Sequence, residues 1–213
     1  MIEIIIFDMD GTLLDSKTDI TKSINFVREK KGLPPLTEDY VLEAINGPIQ
    51  ELSMKFYNTP QYEKSDRILF EEHYMQQCTK NVKVYDGVVE LLNFCKEKNI
   101  KLSVATNAPT KFAIRMLEAA KILNYFDYVK GYDNDIPPKP NPDVILYLIE
   151  KFRKNNPLLI GDSEIDYLTA KNACINYILA CWGFGIKNLS MNKDFVKRCK
   201  KVFTPGEIIK YII

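Results

Sequence analysis

Apolar residues are spaced in two different ways along this chain. Ile4–Phe7 is an uninterrupted apolar run with three β-branched residues, the pattern of a strand buried on both faces. From residue 16 to about 81 the apolar positions recur at helical spacing instead. Ile20, Ile24 and Val27 mark one face of a helix with a capping-box-like start, Ser16-x-x-Asp19, and a stop at Gly32 and Pro34-Pro35. Thr37 is expected to cap a second helix with Val41 and Ile45 inward, broken by Asn46-Gly47-Pro48. A third segment carries Ile49, Leu52 and Phe56 and stops near Thr59-Pro60. A fourth, from about Ser65, carries Ile68, Leu69, Glu71 and Tyr74. His73 falls in this charged stretch and reads as a surface residue.

After Val84-Tyr85, strands and helices alternate. Asp86 is read as the cap of a helix with Val88, Leu91, Leu92 and Cys95 on one face, closed at Asn99. Strands are expected at 101–105, weakly at 128–130, at 158–160 and at 177–180, with a strand-helix tail over 201–213. Helices are expected from Thr110 to Ala120, from Asn141-Pro142 to about Phe152, and over 165–172. The alternation predicts parallel βαβ units and an α/β fold. The core is a doubly wound parallel sheet, Rossmann-like, built from residues 1–15 and 82–213. An all-helical cap domain, residues 16–81, is inserted after the first strand, with hinges near Ser16 and Asn81.

Composition narrows the function classes. Hydrophobic content of 46% with 27% charged residues is ordinary for a globular domain. A net charge of +1 gives no basic surface for nucleic acid. No apolar stretch approaches the ~18 residues needed to span a bilayer, and Met1-Ile2-Glu3 lacks a basic leader region. Cysteines 78, 95, 174, 181 and 199 are odd in number and form no Cys-x-x-Cys pair, which suits reduced, mostly buried thiols. The expectation is a cytoplasmic monomer or homodimer with no membrane or nucleic-acid partner. The single histidine argues against a His-based zinc site or a Ser-His-Asp triad.

The first strand runs into Asp8-Met9-Asp10-Gly11-Thr12. Like charges ~4 Å apart cost on the order of 4 kcal/mol at an effective dielectric near 20, unless a cation is close. In an open parallel sheet, functional groups gather at the carboxyl ends of the strands. There this chain places Asp8 and Asp10, then Thr106 and Asn107, then Lys139 in a proline-rich loop, then Asp162 and Asp166. That set suits phosphoryl transfer. A carboxylate can attack phosphorus, and a second can protonate the leaving oxygen and later activate water. A hydroxyl, backbone N–H groups and a lysine can hold the phosphoryl oxygens. Four carboxylates against one ammonium leave about three excess negative charges, so a hard divalent cation is required, with Mg2+ the natural choice.

The same residues resemble the haloacid dehalogenase-like hydrolase superfamily. Its first motif looks like Asp8-Met9-Asp10-Gly11-Thr12 and its second like Thr106 closing Val104-Ala105. Its third is similar to Lys139 in Lys139-Pro140-Asn141-Pro142-Asp143, and its fourth to Gly161-Asp162-Ser163-Glu164-Ile165-Asp166. The helical insertion after the first motif resembles the phosphoglycolate phosphatase-like branch. The resemblance implies Asp8 as nucleophile, Asp10 as general acid/base, and Thr106, Asn107 and Lys139 around the phosphoryl group. It implies Mg2+ on Asp8, on the main-chain carbonyl of Asp10, and on Asp162 and Asp166. Asn46 and Gly47 fall where related enzymes carry a substrate loop; here it is small and holds no arginine. The reading is hydrolysis of a small phosphorylated metabolite. The alternatives are a sugar phosphomutase like β-phosphoglucomutase, a pyrophosphatase or nucleotidase, and, last, a non-catalytic phospho-ligand binder.

Overall fold

In the computed structural model, which describes residues 2–47, 49–185 and 193–212, the first apolar run becomes the centre of a sheet. The strands are β1 (Ile4–Phe7), β4 (Lys101–Ala105), β5 (Tyr128–Lys130), β6 (Pro157–Gly161), β7 (Asn176–Ala180) and β8 (Lys200–Val202). They pair in the order β5-β4-β1-β6-β7-β8, all parallel. All four residues of β1 are buried, as the central place of that strand demands.

Alternation along the strands sends side chains to opposite faces. On one face Ile4, Ile6, Ala105 and Leu159 pack with Val144, Ile145 and Leu148 of α7 (Asp143–Phe152) and Ala170 of α8 (Glu164–Asn172). Buried residues of α5 (Val88–Glu97) and α6 (Thr110–Ala119) include Leu91, Leu92, Phe112, Met116 and Leu117. Register puts Phe7 beside both Val104 and Ile160, so the residues that follow β1, β4 and β6 leave the sheet side by side. A small antiparallel pair, β2 (Leu14–Asp15) with β3 (Lys83–Val84), was not expected from sequence because two-residue strands carry no periodic signal.

By its internal contacts the chain divides into two units: residues up to Asp15 together with Lys83 onward, and Ser16–Val82. The second unit is helical, with α1 (Lys17–Lys30), α2 (Glu38–Ile45), α3 (Leu52–Tyr57) and α4 (Lys64–Gln77). Its core is Ile24, Val27, Val41, Ala44, Phe56 and Tyr57, flanked by Ile20, Leu52, Leu69 and Phe70. Thr37 caps α2 as expected, accepting from the Tyr40 N–H. The buried Arg28 guanidinium ties this unit together through the Pro34 and Phe56 carbonyls.

Several expectations are corrected. The Ser16–Asp19 capping box does not form. Asp19 is fully buried and accepts from Gln77 Nε2 (2.7 Å), Asn81 N (2.9 Å) and Asn81 Nδ2 (2.6 Å). Helix α5 starts after Gly87, whose φ of 84° suits the left-handed region, so Asp86 is a turn residue and not its cap. Ile68 points outward at 47% exposure. His73 is half-buried: its Nδ1 lies 2.9 Å from Ser23 Oγ, and its ring stacks on Phe26 at 4.2 Å. Cys78 and Cys95 are buried, but Cys174 is exposed and Cys181 and Cys199 are partly exposed. Pro48 lies outside the described residues. No described helix is long and apolar enough to cross a membrane.

Asp19→Ala should destabilise the helical unit by about 1–3 kcal/mol, because three donors lose their acceptor and the buried Gln77 amide has no other partner among the described residues. Urea unfolding followed by circular dichroism measures this. A loss under about 0.5 kcal/mol would show that these bonds contribute little.

Candidate active site

Each strand end delivers one part of the site. The last ladder bond of β1 runs from the Asp8 N–H to the Ile160 carbonyl (2.8 Å), after which the chain folds into a tight turn. In that turn the Thr12, Leu13 and Leu14 N–H groups all donate to the Met9 carbonyl. Gly11 has φ 89°, and a Cβ there would lie 2.1 Å from Asp162 Oδ2, so no other residue fits this close approach.

Lys139 is the cation of the site and is 3% exposed. Its ammonium donates to Asp166 Oδ1 (2.6 Å), Asp8 Oδ1 (2.7 Å) and the Ala105 carbonyl (2.9 Å), which uses all three N–H bonds. The main chain of Lys139 is held in turn by Asn107. The Asn107 side chain accepts from Lys139 N (2.8 Å) and donates to Lys139 O (3.1 Å). Asn107, expected at the phosphate, has its side chain on the Lys139 main chain and so positions the lysine. Thr106 is buried at the end of β4, its hydroxyl accepting from the Ala108 N–H (3.1 Å).

Asp162 and Asp166 flank the start of α8. A capping box fixes this turn: Ser163 Oγ donates to Asp166 Oδ2 (2.5 Å) and accepts from Asp166 N (3.3 Å). The Tyr177 hydroxyl lies 2.9 Å from the Gly161 carbonyl and 3.1 Å from that of Ser163, bracing the same turn from β7. Thr12 Oγ1 sits between Asp8 Oδ2 (3.3 Å) and Asp162 Oδ1 (3.5 Å). Asp8, Asp162 and Asp166 thus bring carboxylate oxygens within 4.8 Å of one another, all three residues buried. Asp10 is half-buried and its carboxylate stands outside that cluster.

Burial pushes the Asp8 carboxyl up to about 7; Lys139 opposes this, while Asp166 and Asp10 add to it. Burial, then the charges of Asp8 and Asp166, holds Asp162 well above the usual carboxylate range. Burial alone would lower Lys139, but Asp166 and Asp8 outweigh it and raise it, so the ammonium stays charged. Three buried carboxylates against one ammonium remain short of positive charge. A set of hard oxygen donors at this spacing fits a divalent cation such as Mg2+.

Asn46 and Gly47 belong to the helical unit. The Asn46 amide donates back to the Leu42 carbonyl (2.9 Å), and Gly47 N donates to that of Ala44 (3.0 Å). Lys55, the nearest base, pairs with Glu51 (2.9 Å). Sequence reasoning missed roles for Thr12, Ser163, Tyr177, Trp182 and Gly185. Ser163-x-x-Asp166 carries a capping signature, and Trp182-Gly183-Phe184-Gly185 directly after an apolar strand signals close backbone approach. Nothing in the spacing singles out Tyr177.

The profile of the family described as haloacid dehalogenase-like hydrolase matches residues 5–180. A phosphoglycolate phosphatase of Vibrio vulnificus (strain YJ016) is 33% identical over 196 residues, covering 87% of this chain and 83% of that protein. One from Aquifex aeolicus is 28% identical over 209 residues, covering 97% and 95%. The crystal structure of a predicted phosphoglycolate phosphatase from Haemophilus somnus superposes with a TM-score of 0.84 at 25% identity, covering 100% of this chain and 98% of that one.

The raised Asp8 carboxyl makes metal-free stability depend on pH. A folded value of about 7 lies above the ~3.9 of an unfolded Asp, so the folded state holds its proton more tightly. The stability this gives is present below about pH 4 and is lost between about pH 4 and pH 7, above which both states have shed the proton. Asp8→Asn cannot lose that proton. In chelator, its melting temperature should gain on wild type between about pH 5 and pH 7 and level off above that, measured by calorimetry; a pH-independent difference would contradict the burial of a titrating Asp8.

Proposed function

The chain belongs to the haloacid dehalogenase-like hydrolase family as a phosphatase, and we propose that it hydrolyses a small phosphomonoester through a phosphorylated Asp8, with Mg2+ as cofactor. The observation that carries this reading is the buried grouping of Asp8, Asp162 and Asp166, two of them, Asp8 and Asp166, paired with the Lys139 ammonium. Residues 16–82 would act as the cap domain of the branch, and the proposed Mg2+ ligands are Asp8, Asp162, Asp166 and the main-chain carbonyl of Asp10.

Asp8, freed of its proton, attacks phosphorus while Asp10 gives a proton to the departing ester oxygen. Asp10, now a carboxylate, takes a proton from water as that water attacks phospho-Asp8. Phosphate leaves, and Asp8 is regenerated. Lys139, the Thr106 hydroxyl and backbone N–H groups at the strand ends stabilise the phosphoryl oxygens. For Lys139 to reach them it must exchange one of its carboxylate bonds for a phosphate oxygen, a trade between two anions of similar strength. Mg2+, when bound by these carboxylates, supplies charge neutralisation and polarises the phosphoryl oxygen. The relatives' names make phosphoglycolate the first substrate to assay, followed by a panel of phosphorylated metabolites that includes hexose phosphates.

Asp8→Asn should lower kcat by at least about 10³-fold, since it removes the whole covalent route. Chelator should abolish phosphate release, Mg2+ should restore it, and Ca2+ should substitute poorly. Phosphate release by Asp8→Asn above a tenth of wild type, or full activity in excess chelator, would overturn the reading.

A further inference from the structure

The chain after β7 closes on the site from behind. Trp182 Nε1 donates to the Thr12 carbonyl (2.9 Å), and the Thr12 hydroxyl stands between Asp8 and Asp162. A Cβ on Gly183 would lie 2.2 Å from the Gly11 carbonyl oxygen and 2.4 Å from Asp162 Oδ2. Gly11 approaches that same oxygen from its own turn. Gly185 N–H then donates to it at 2.7 Å. Asp162 Oδ2 is therefore enclosed by the backbone at Gly11 and Gly183 and tied by a backbone donor. Its other oxygen, Oδ1, lies on the side of Thr12 and Asp8.

We propose that residues 182–185 are a positioning element that occupies Asp162 Oδ2 and leaves only Oδ1, beside Thr12 and Asp8, to serve a cation, and thereby favours Mg2+ over Ca2+. This rests on the reading of the site as a Mg2+-dependent centre. A carboxylate with one oxygen committed elsewhere donates a single ligand. Mg2+ takes six ligands at about 2.0–2.1 Å in near-octahedral array, which single-oxygen donors satisfy. Ca2+ takes about 6–8 ligands at longer distance and gains from carboxylates that offer both oxygens. Trp182 acts on the same geometry from the other side, by fixing the residue that spaces Asp8 from Asp162. Groups that orient a ligand in this way are worth about 10–100-fold in metal affinity.

The test is calorimetric titration of the full-length, metal-stripped protein with Mg2+ and with Ca2+. Trp182 is the only tryptophan, so its emission should follow the Mg2+ titration independently. Gly185→Ala places a methyl 2.8 Å from the Asp162 main-chain oxygen and 2.9 Å from Oδ2, which forces the carboxylate to turn. It should weaken Mg2+ binding at least about 10-fold and Ca2+ binding by less than about 3-fold, so that discrimination falls. Trp182→Phe, which removes the N–H donor together with part of the ring, should lower discrimination in the same direction and carries the test if Gly185→Ala does not fold. Affinities unchanged in a folded variant, or Mg2+ and Ca2+ weakened equally, would overturn the proposal. A wild-type protein that binds neither ion would instead overturn the underlying reading of the site.

Discussion

A lysine ammonium buried between two carboxylates is the interaction on which the site depends. Lys139 reaches Asp8 and Asp166 at 2.7 and 2.6 Å in a place where neither partner has water to fall back on. Removing Lys139 would strand buried carboxylates, a loss of about 3–5 kcal/mol in comparable cases. The pair still does not neutralise the cluster, because Asp162 brings a further carboxylate. Burial therefore raises Asp8 and Asp162 together, and the fold keeps a standing demand for positive charge.

The sheet makes this arrangement affordable. With β1 between β4 and β6, the three adjacent strands end in Asp8, Thr106 and Asp162, and their register fixes the spacing. The lysine comes from further along the chain, so a separate device must aim it. Asn107, one residue beyond Thr106, holds the Lys139 peptide with two bonds and so ties the second loop to the third. Ser163 and Tyr177 do the same for the turn that carries Asp162 and Asp166. The carboxylates can be crowded because every loop that bears one is braced by a neighbour.

What could be read from sequence follows from the range of the signals. The strands and helices of the sheet were legible because burial imposes a period over several residues, as in Ile4–Phe7 and Val88–Glu97. Asp8, Asp162 and Asp166, which the structure brings together, were legible as short-range clusters at strand ends. The capping-box spacing at Ser16 misled, because Asp19 found stronger donors in Gln77 and Asn81, some 60 residues away. The hold of Asn107 on Lys139 was not legible, because no local pattern reveals a side chain that pairs with the main chain 32 positions on. The bond from Trp182 to Thr12 spans 170 positions and has no local trace at all.

The central claim is that Asp8 carries the phosphoryl group. The most direct measurement is to mix the enzyme with Mg2+ and a turned-over phosphomonoester, quench in acid, reduce with borohydride and sequence the peptides by mass spectrometry. An acyl phosphate at residue 8 is reduced to homoserine, whereas a free carboxylate is left intact. Substrate-dependent homoserine at residue 8, absent without Mg2+, is the predicted result. Conversion at another residue, or none at any residue under conditions of rapid turnover, would contradict it.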